Sequence, residues 1–194
     1  DLCSVSYCCG TSNATALISR VAGIYYDSLQ QLIKAQSAEV PPMCEAPLLK
    51  AMLVHGCSWG DIASQISKAL QISTNSYRIR EQVSKWFGYG KPKTNRVLSC
   101  TEQRATILGF GNLSNGEAHV FSLPLPPSLG SRSEWRRLTV TLAWLSPVLP
   151  ATQKYRVASL WFEIRGSRLV PNRTNADWQA VRRGTVQHEI FEGQ

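Results

Sequence analysis

Gly10-Thr-Ser-Asn-Ala-Thr-Ala-Leu-Ile-Ser-Arg-Val-Ala-Gly-Ile-Tyr-Tyr26 opens the stretch that decides how the first part of the chain is read. From Ser12 to about Lys34 the apolar residues Leu17, Val21, Ile24, Leu29 and Leu32 recur at helical spacing, so a long helix is expected there. Its beginning, Ala14-Thr-Ala-Leu-Ile18, is apolar on nearly every side. A surface helix carries one apolar stripe, whereas one apolar all round belongs inside a larger body.

Three more helices are expected downstream. Pro41-Pro42 ends the first unit, and a second helix follows from about Ala46 to Cys57. Pro47 falls in the first turn of that expected helix, where a missing N–H costs nothing. Gly60-Asp61 introduces a third helix reaching about Leu70. A fourth, with Ser76 as its expected cap, stops at Gly88-Tyr-Gly90.

After Cys100 the period shortens. Residues 105–108, 118–123, 138–144, 156–164 and 185–191 read as short β segments, separated by turn-rich stretches such as Leu123-Pro-Leu-Pro-Pro127. Leu138-Thr-Val-Thr-Leu-Ala-Trp144 alternates cleanly, which predicts one buried face and a more open threonine face. Strands without intervening helices suggest an antiparallel sandwich. The expected organisation is thus a mainly helical part over 1–100 and a β-sandwich domain over 101–194.

Composition bounds the partners. The formal charge of +8 is spread evenly: residues 1–100 hold 10 Lys+Arg against 6 Asp+Glu, and residues 101–194 hold 11 against 7. Each half is therefore +4, unlike a basic tail, and no nucleic-acid partner is expected. The clusters Arg132, Arg136, Arg137 and Arg182, Arg183 read as solvated faces, and the tryptophans as sandwich core and rim rather than a base-stacking platform. No apolar run approaches the about 20 residues that span a bilayer, so no membrane partner is expected. The chain opens at Asp1 without Met, and the natural start is expected to lie upstream. Cys3, Cys8, Cys9, Cys44, Cys57 and Cys100 form no C-x-x-C pair and no zinc spacing, so they read as small buried hydrophobes in a reducing, cytoplasmic setting. No carboxylate cluster suggests calcium; neither metal nor cofactor is expected.

The chemistry centres on Ser12. A hydroxyl at the start of a long helix meets unpaired N–H groups and the positive end of the helix dipole, which favour a developing oxyanion. Gly10 lets a substrate backbone approach, and small Ala14 lets the helix sit tightly behind the serine. Physics alone does not distinguish this from a simple helix cap. His55, His119 and His188 read as satisfied structural histidines rather than general bases.

Gly10-Thr-Ser12-Asn-Ala14 resembles the G-T-S-x-A nucleophile motif of subtilisin-like serine peptidases. Downstream landmarks are similar too: the helix Leu48-Leu-Lys-Ala-Met-Leu-Val-His-Gly-Cys57, the turn Gly88-Tyr-Gly90, and Arg96-Val-Leu-Ser-Cys100. The segments from Ser133 to Trp144 and from Arg183 to Glu189 look like the β-rich extension of a bacterial subset of that family. Ala16 departs from the Pro that many members carry there, without touching the chemistry. The resemblance implies the C-terminal portion of an α/β three-layer subtilisin-like domain followed by a jelly-roll-like sandwich. It implies endopeptidase chemistry on peptide or protein substrates. Ser12 would be the nucleophile, with Gly10, Thr11 and the Ser12 N–H lining the oxyanion and substrate region. Family order places Asp and His before Ser, hence in an upstream part of the same domain, leaving this fragment inactive alone. A non-catalytic β-rich interaction or stabilising module is the alternative reading.

Overall fold

The computed structural model describes residues 9–69, 76–124, 133–153, 156–166, 168–171 and 184–193. The chain divides into two compact units, Asp1–Glu39 and Val40–Gln194. Residue 101 falls inside the second unit. Residues on both sides of that position share the second unit, because a helix from the first half packs on strands from the second.

The first unit is one helix, α1 (Thr11–Gln36), close to the expected span. It opens at Gly10, whose extended backbone carries no capping side chain. It closes at Ser37, in the left-handed region with φ 49°, where the Ser37 N–H reaches the Lys34 carbonyl and Ala38 N–H reaches that of Ile33 at 3.0 Å. This is a Schellman closure with serine where glycine is the usual residue. Lys34 adds a favourable charge in the last turn. The apolar opening of the helix is exposed, Leu17 and Ile18 included.

In the second unit α2 covers Pro42–His55, four residues earlier than expected. The reason is local: Pro42, not Pro47, takes the first-turn position suited to proline. Pro47 consequently lies inside the helix, where it cannot donate a bond to the preceding turn. Gly56 ends α2 and leads into β1 (Cys57–Ser58), which pairs antiparallel with β2 (Lys91–Pro92). Between them lie α3 (Ile62–Ala69) and α4 (Ser76–Phe87), packed on each other. The expected ending of α3 at Leu70 and the capping side chain of Ser76 fall outside the described residues. A short α5 (Asn95–Leu98) follows β2.

The main sheet has three antiparallel strands in the order β3-β5-β4, with β3 at Arg136–Ala143, β4 at Val170–Pro171 and β5 at Val186–Gly193. β3 and β5 match two of the five expected segments. The β3–β5 register pairs Arg137 with Glu192, Thr139 with Ile190 and Thr141 with His188 on one face. Leu138, Val140 and Leu142 face Phe191, Glu189 and Gln187 in the alternate pairs. The first set looks toward α2, so the threonine face is covered by a helix rather than open. The other side is approached by residues 156–166. Phe162 meets Phe191 edge-on, and the Phe162 N–H reaches Gln187 Oε1 at 3.1 Å. Coverage on both sides explains why Val186, Gln187, His188 and Glu189 are all buried in succession.

Residues 105–108, 118–123 and 156–164 form no strand ladder. The first two run back past each other, with Gly109 against Phe121 and Gly111 against His119. Ser114 and Glu117 close the turn through a 3.2 Å backbone bond and a 2.8 Å bond from the Ser114 N–H to Glu117 Oε2. Val120 remains 92% exposed. A hairpin with no further strand beside it has no sheet to join, so the described residues show mixed helix and small antiparallel sheets, not a closed sandwich.

Two glycine-type positions give opposite expectations. At Gly90, with φ 92°, an added Cβ would run into the Ser58 carbonyl oxygen and lie 2.9 Å from Trp59 Cδ1. Gly90→Ala is expected to lower unfolding stability by about 2–4 kcal/mol. Ser37→Gly, which relieves a left-handed serine, is expected to raise it by about 0.5–1 kcal/mol. Urea titrations of both variants check the signs.

Candidate functional site

Ser12 lies in the first turn of α1, two residues after the N-cap Gly10, and is exposed. It is therefore not the cap of that helix. Thr11 is the first helical residue, and its carbonyl accepts a 2.8 Å bond from Thr15 Oγ1. Gly10 has open space around the position of an added Cβ. The first N–H groups of a helix lack intrahelical partners, and Gly10 offers them no side-chain oxygen. Gly10, Thr11 and Ser12 are consecutive at the opening of α1. Their unit, residues 1–39, contains no histidine.

The titratable side chains gather elsewhere, in the second unit. His55 ends α2, Thr141 stands on β3 and His188 on β5. Thr141 Oγ1 lies 3.0 Å from His55 Nδ1 and 2.8 Å from His188 Nδ1, and the two rings meet edge to face with centroids 6.3 Å apart. One hydroxyl has one proton to give. With both imidazoles neutral, Thr141 donates to at most one Nδ1 and accepts from the other or from both, so at least one ring carries its proton on Nδ1.

The turn Gly88-Tyr-Gly90 completes this cluster. Gly88 and Gly90 both take positive φ, and the Trp59 indole N–H donates to the Gly88 carbonyl at 2.8 Å. The turn delivers Tyr89 edge-on to His188, with its hydroxyl 3.4 Å from the Val186 carbonyl. Cys57 Sγ lies 3.1 Å from the Leu53 carbonyl. Burial lowers His188 to about 4, with His55, Arg137 and Arg96 adding repulsion. Burial also lowers His55, aided by Arg104 and Arg137. Burial pushes the Cys57 thiol up to about 11, and burial with nearby Cys57 raises Tyr89.

These directions limit the chemistry. A thiol near 11 is not a nucleophile at neutral pH. Both histidines are held neutral, and each presents Nδ1 to a threonine rather than to an orienting carboxylate. Asp–His pairing of the triad type is absent from this cluster. Among the described residues no group of three His, Cys, Asp or Glu could hold a metal ion. His119, the third histidine, is exposed and meets the Phe121 ring edge-on.

Sequence reasoning placed His55 and His188 separately, as structural residues, and missed their convergence. The alternation in β3 reads as one buried face and a more open threonine face, and carries no sign of a histidine partner. Thr141→Val keeps the shape but leaves buried ring nitrogens without a hydroxyl. It is expected to destabilise the chain by about 1–3 kcal/mol, with Thr141→Ser milder, in denaturant titrations at pH 7.5. Comparison with protein-family models, with curated proteins and with solved structures finds no match for this chain.

Proposed function

We propose that this chain is the serine-bearing, C-terminal portion of a subtilisin-like serine endopeptidase, with Ser12 as nucleophile. The observation that carries the reading is the coincidence of motif and position: Gly10-Thr-Ser12-Asn-Ala14 falls at the opening of a 26-residue helix, with Ser12 exposed in its first turn. A hydroxyl there can attack a carbonyl while helix N–H groups face the developing oxyanion. Gly10 would admit the substrate backbone, and Thr11 would line the groove beside it.

On this reading the general base and its orienting carboxylate come from sequence preceding Asp1, in the family order Asp, His, Ser. The side-chain amide of the oxyanion hole comes from there as well. The partner layer for Leu17 and Ile18 would be the parallel sheet of that same domain. Residues 101–194 would be the jelly-roll-like extension, of which β3 and β5 form the ladder. No metal or cofactor takes part in the acyl transfer. Ser12 would pass its proton to the histidine as it attacks the peptide carbonyl, and the histidine would return it to the leaving amine as the acyl-enzyme forms. Water, activated by the same histidine, would then hydrolyse the ester and restore Ser12.

A second reading rests on the second unit alone. Val40–Gln194 carries its own core, including Met52, Trp59, Val97, Trp144 and Phe191, while Trp135 and Trp161 stand exposed. Such a unit suits a non-catalytic module that binds a protein partner or stabilises its neighbour.

A fluorophosphonate probe separates the two. The polypeptide that includes the sequence preceding Asp1 is expected to label at Ser12 and to lose both labelling and proteolysis on Ser12→Ala, by more than about a thousandfold. A folded polypeptide that never labels, or proteolysis that survives Ser12→Ala, removes the peptidase reading.

A further inference from the structure

We propose that the His55–Thr141–His188 bridge is an acid-sensitive latch, holding α2 on the β3–β5 ladder at neutral pH and releasing it in mild acid. The claim concerns the second unit and does not depend on the role of Ser12. Its geometric basis is that one hydroxyl joins the last residue of α2 to two strands, through contacts 86 and 47 residues apart in sequence.

The bridge weakens when a ring that accepts from Thr141 gains a proton. Protonating the ring that accepts the Thr141 proton turns its Nδ1 into a donor, and the hydroxyl hydrogen loses its acceptor. The charged groups that act on either ring among the described residues are cationic, so a new positive charge meets repulsion. The groups around the cluster are Cys57 from β1, Tyr89 from the glycine turn, Arg96 from α5, Arg104 from the Thr101–Arg104 bridge, and Arg137 with Glu192 from the ladder. Glu192 is engaged by Arg137 Nε at 3.7 Å. Glu189 follows His188 directly and so points to the opposite face. From α2 itself, Lys50 Nζ donates to Thr185 Oγ1 at 2.6 Å. Arg104 is fixed in place by a bond from Nη2 to the Arg96 carbonyl.

The direction follows from linkage. Both histidines bind protons less readily in the folded chain than in the open one, so the open form gains protons first as pH falls. The stabilisation is complete above the ordinary histidine value of 6.5. It declines as pH drops from there to about 4, where His188 also titrates in the folded chain. For His188 alone the interval allows a change on the order of a hundredfold in the closed-to-open ratio.

Amide hydrogen exchange of the full chain between pH 7.5 and 4.5, corrected for intrinsic rates, tests the latch. The α2 amides are expected to lose protection by tens of fold, well ahead of those in α4. His188→Gln and His55→Gln should each flatten that loss. Parallel loss in α2 and α4, or an undiminished loss in His188→Gln, overturns the proposal. Where these variants fail to fold, ring-proton titration of the native chain decides: a His188 midpoint well below 6.5 supports it, and one near 6.5 refutes it.

Discussion

A single hydroxyl, that of Thr141, ties the helical and β parts of the second unit together. It meets one imidazole from the end of α2 and another from β5, and the ladder beside it fixes the register of both strands. Slipping β3 by one residue would turn Thr141 to the other face and bring Leu138, Val140 and Leu142 under α2. The helix–sheet packing, the register and the neutral state of two histidines are therefore one constraint.

The two faces of the ladder are built from different chemistry. Toward residues 156–166 it is mostly apolar, with Phe162 against Phe191 and one amide, Gln187, spanning the gap to the Phe162 N–H. Toward α2 it is polar, and three arginines stand around the histidine pair. A buried polar face contributes only when its partners are satisfied, because each unpaired group costs its full desolvation. That makes the junction specific, and it makes it sensitive to the protonation of two residues.

Much of the local structure was legible in the chain. The period over residues 12–34 gave α1, and alternation over 138–144 gave β3, because both are short-range consequences of side-chain direction. The start of α2 was misplaced since two prolines compete for one first-turn position and only the flanking packing chooses between them. Residues 105–108, 118–123 and 156–164 have strand composition, but a strand needs a neighbour to pair with, and pairing is non-local. The glycine turn at Gly88-Tyr-Gly90 was visible, yet not that Tyr89 would meet His188. Likewise Ser12 was legible from its motif, whereas the His55–Thr141–His188 cluster has no short-range signature at all. Its members lie far apart, and only the fold makes them neighbours.

The most direct measurement is long-range proton–nitrogen correlation of the histidine rings at pH 7.5. The shared hydroxyl predicts two neutral rings, at least one of them protonated at Nδ1. Finding both His55 and His188 protonated only at Nε2, or either ring charged at that pH, would contradict the arrangement on which the rest of the account is built.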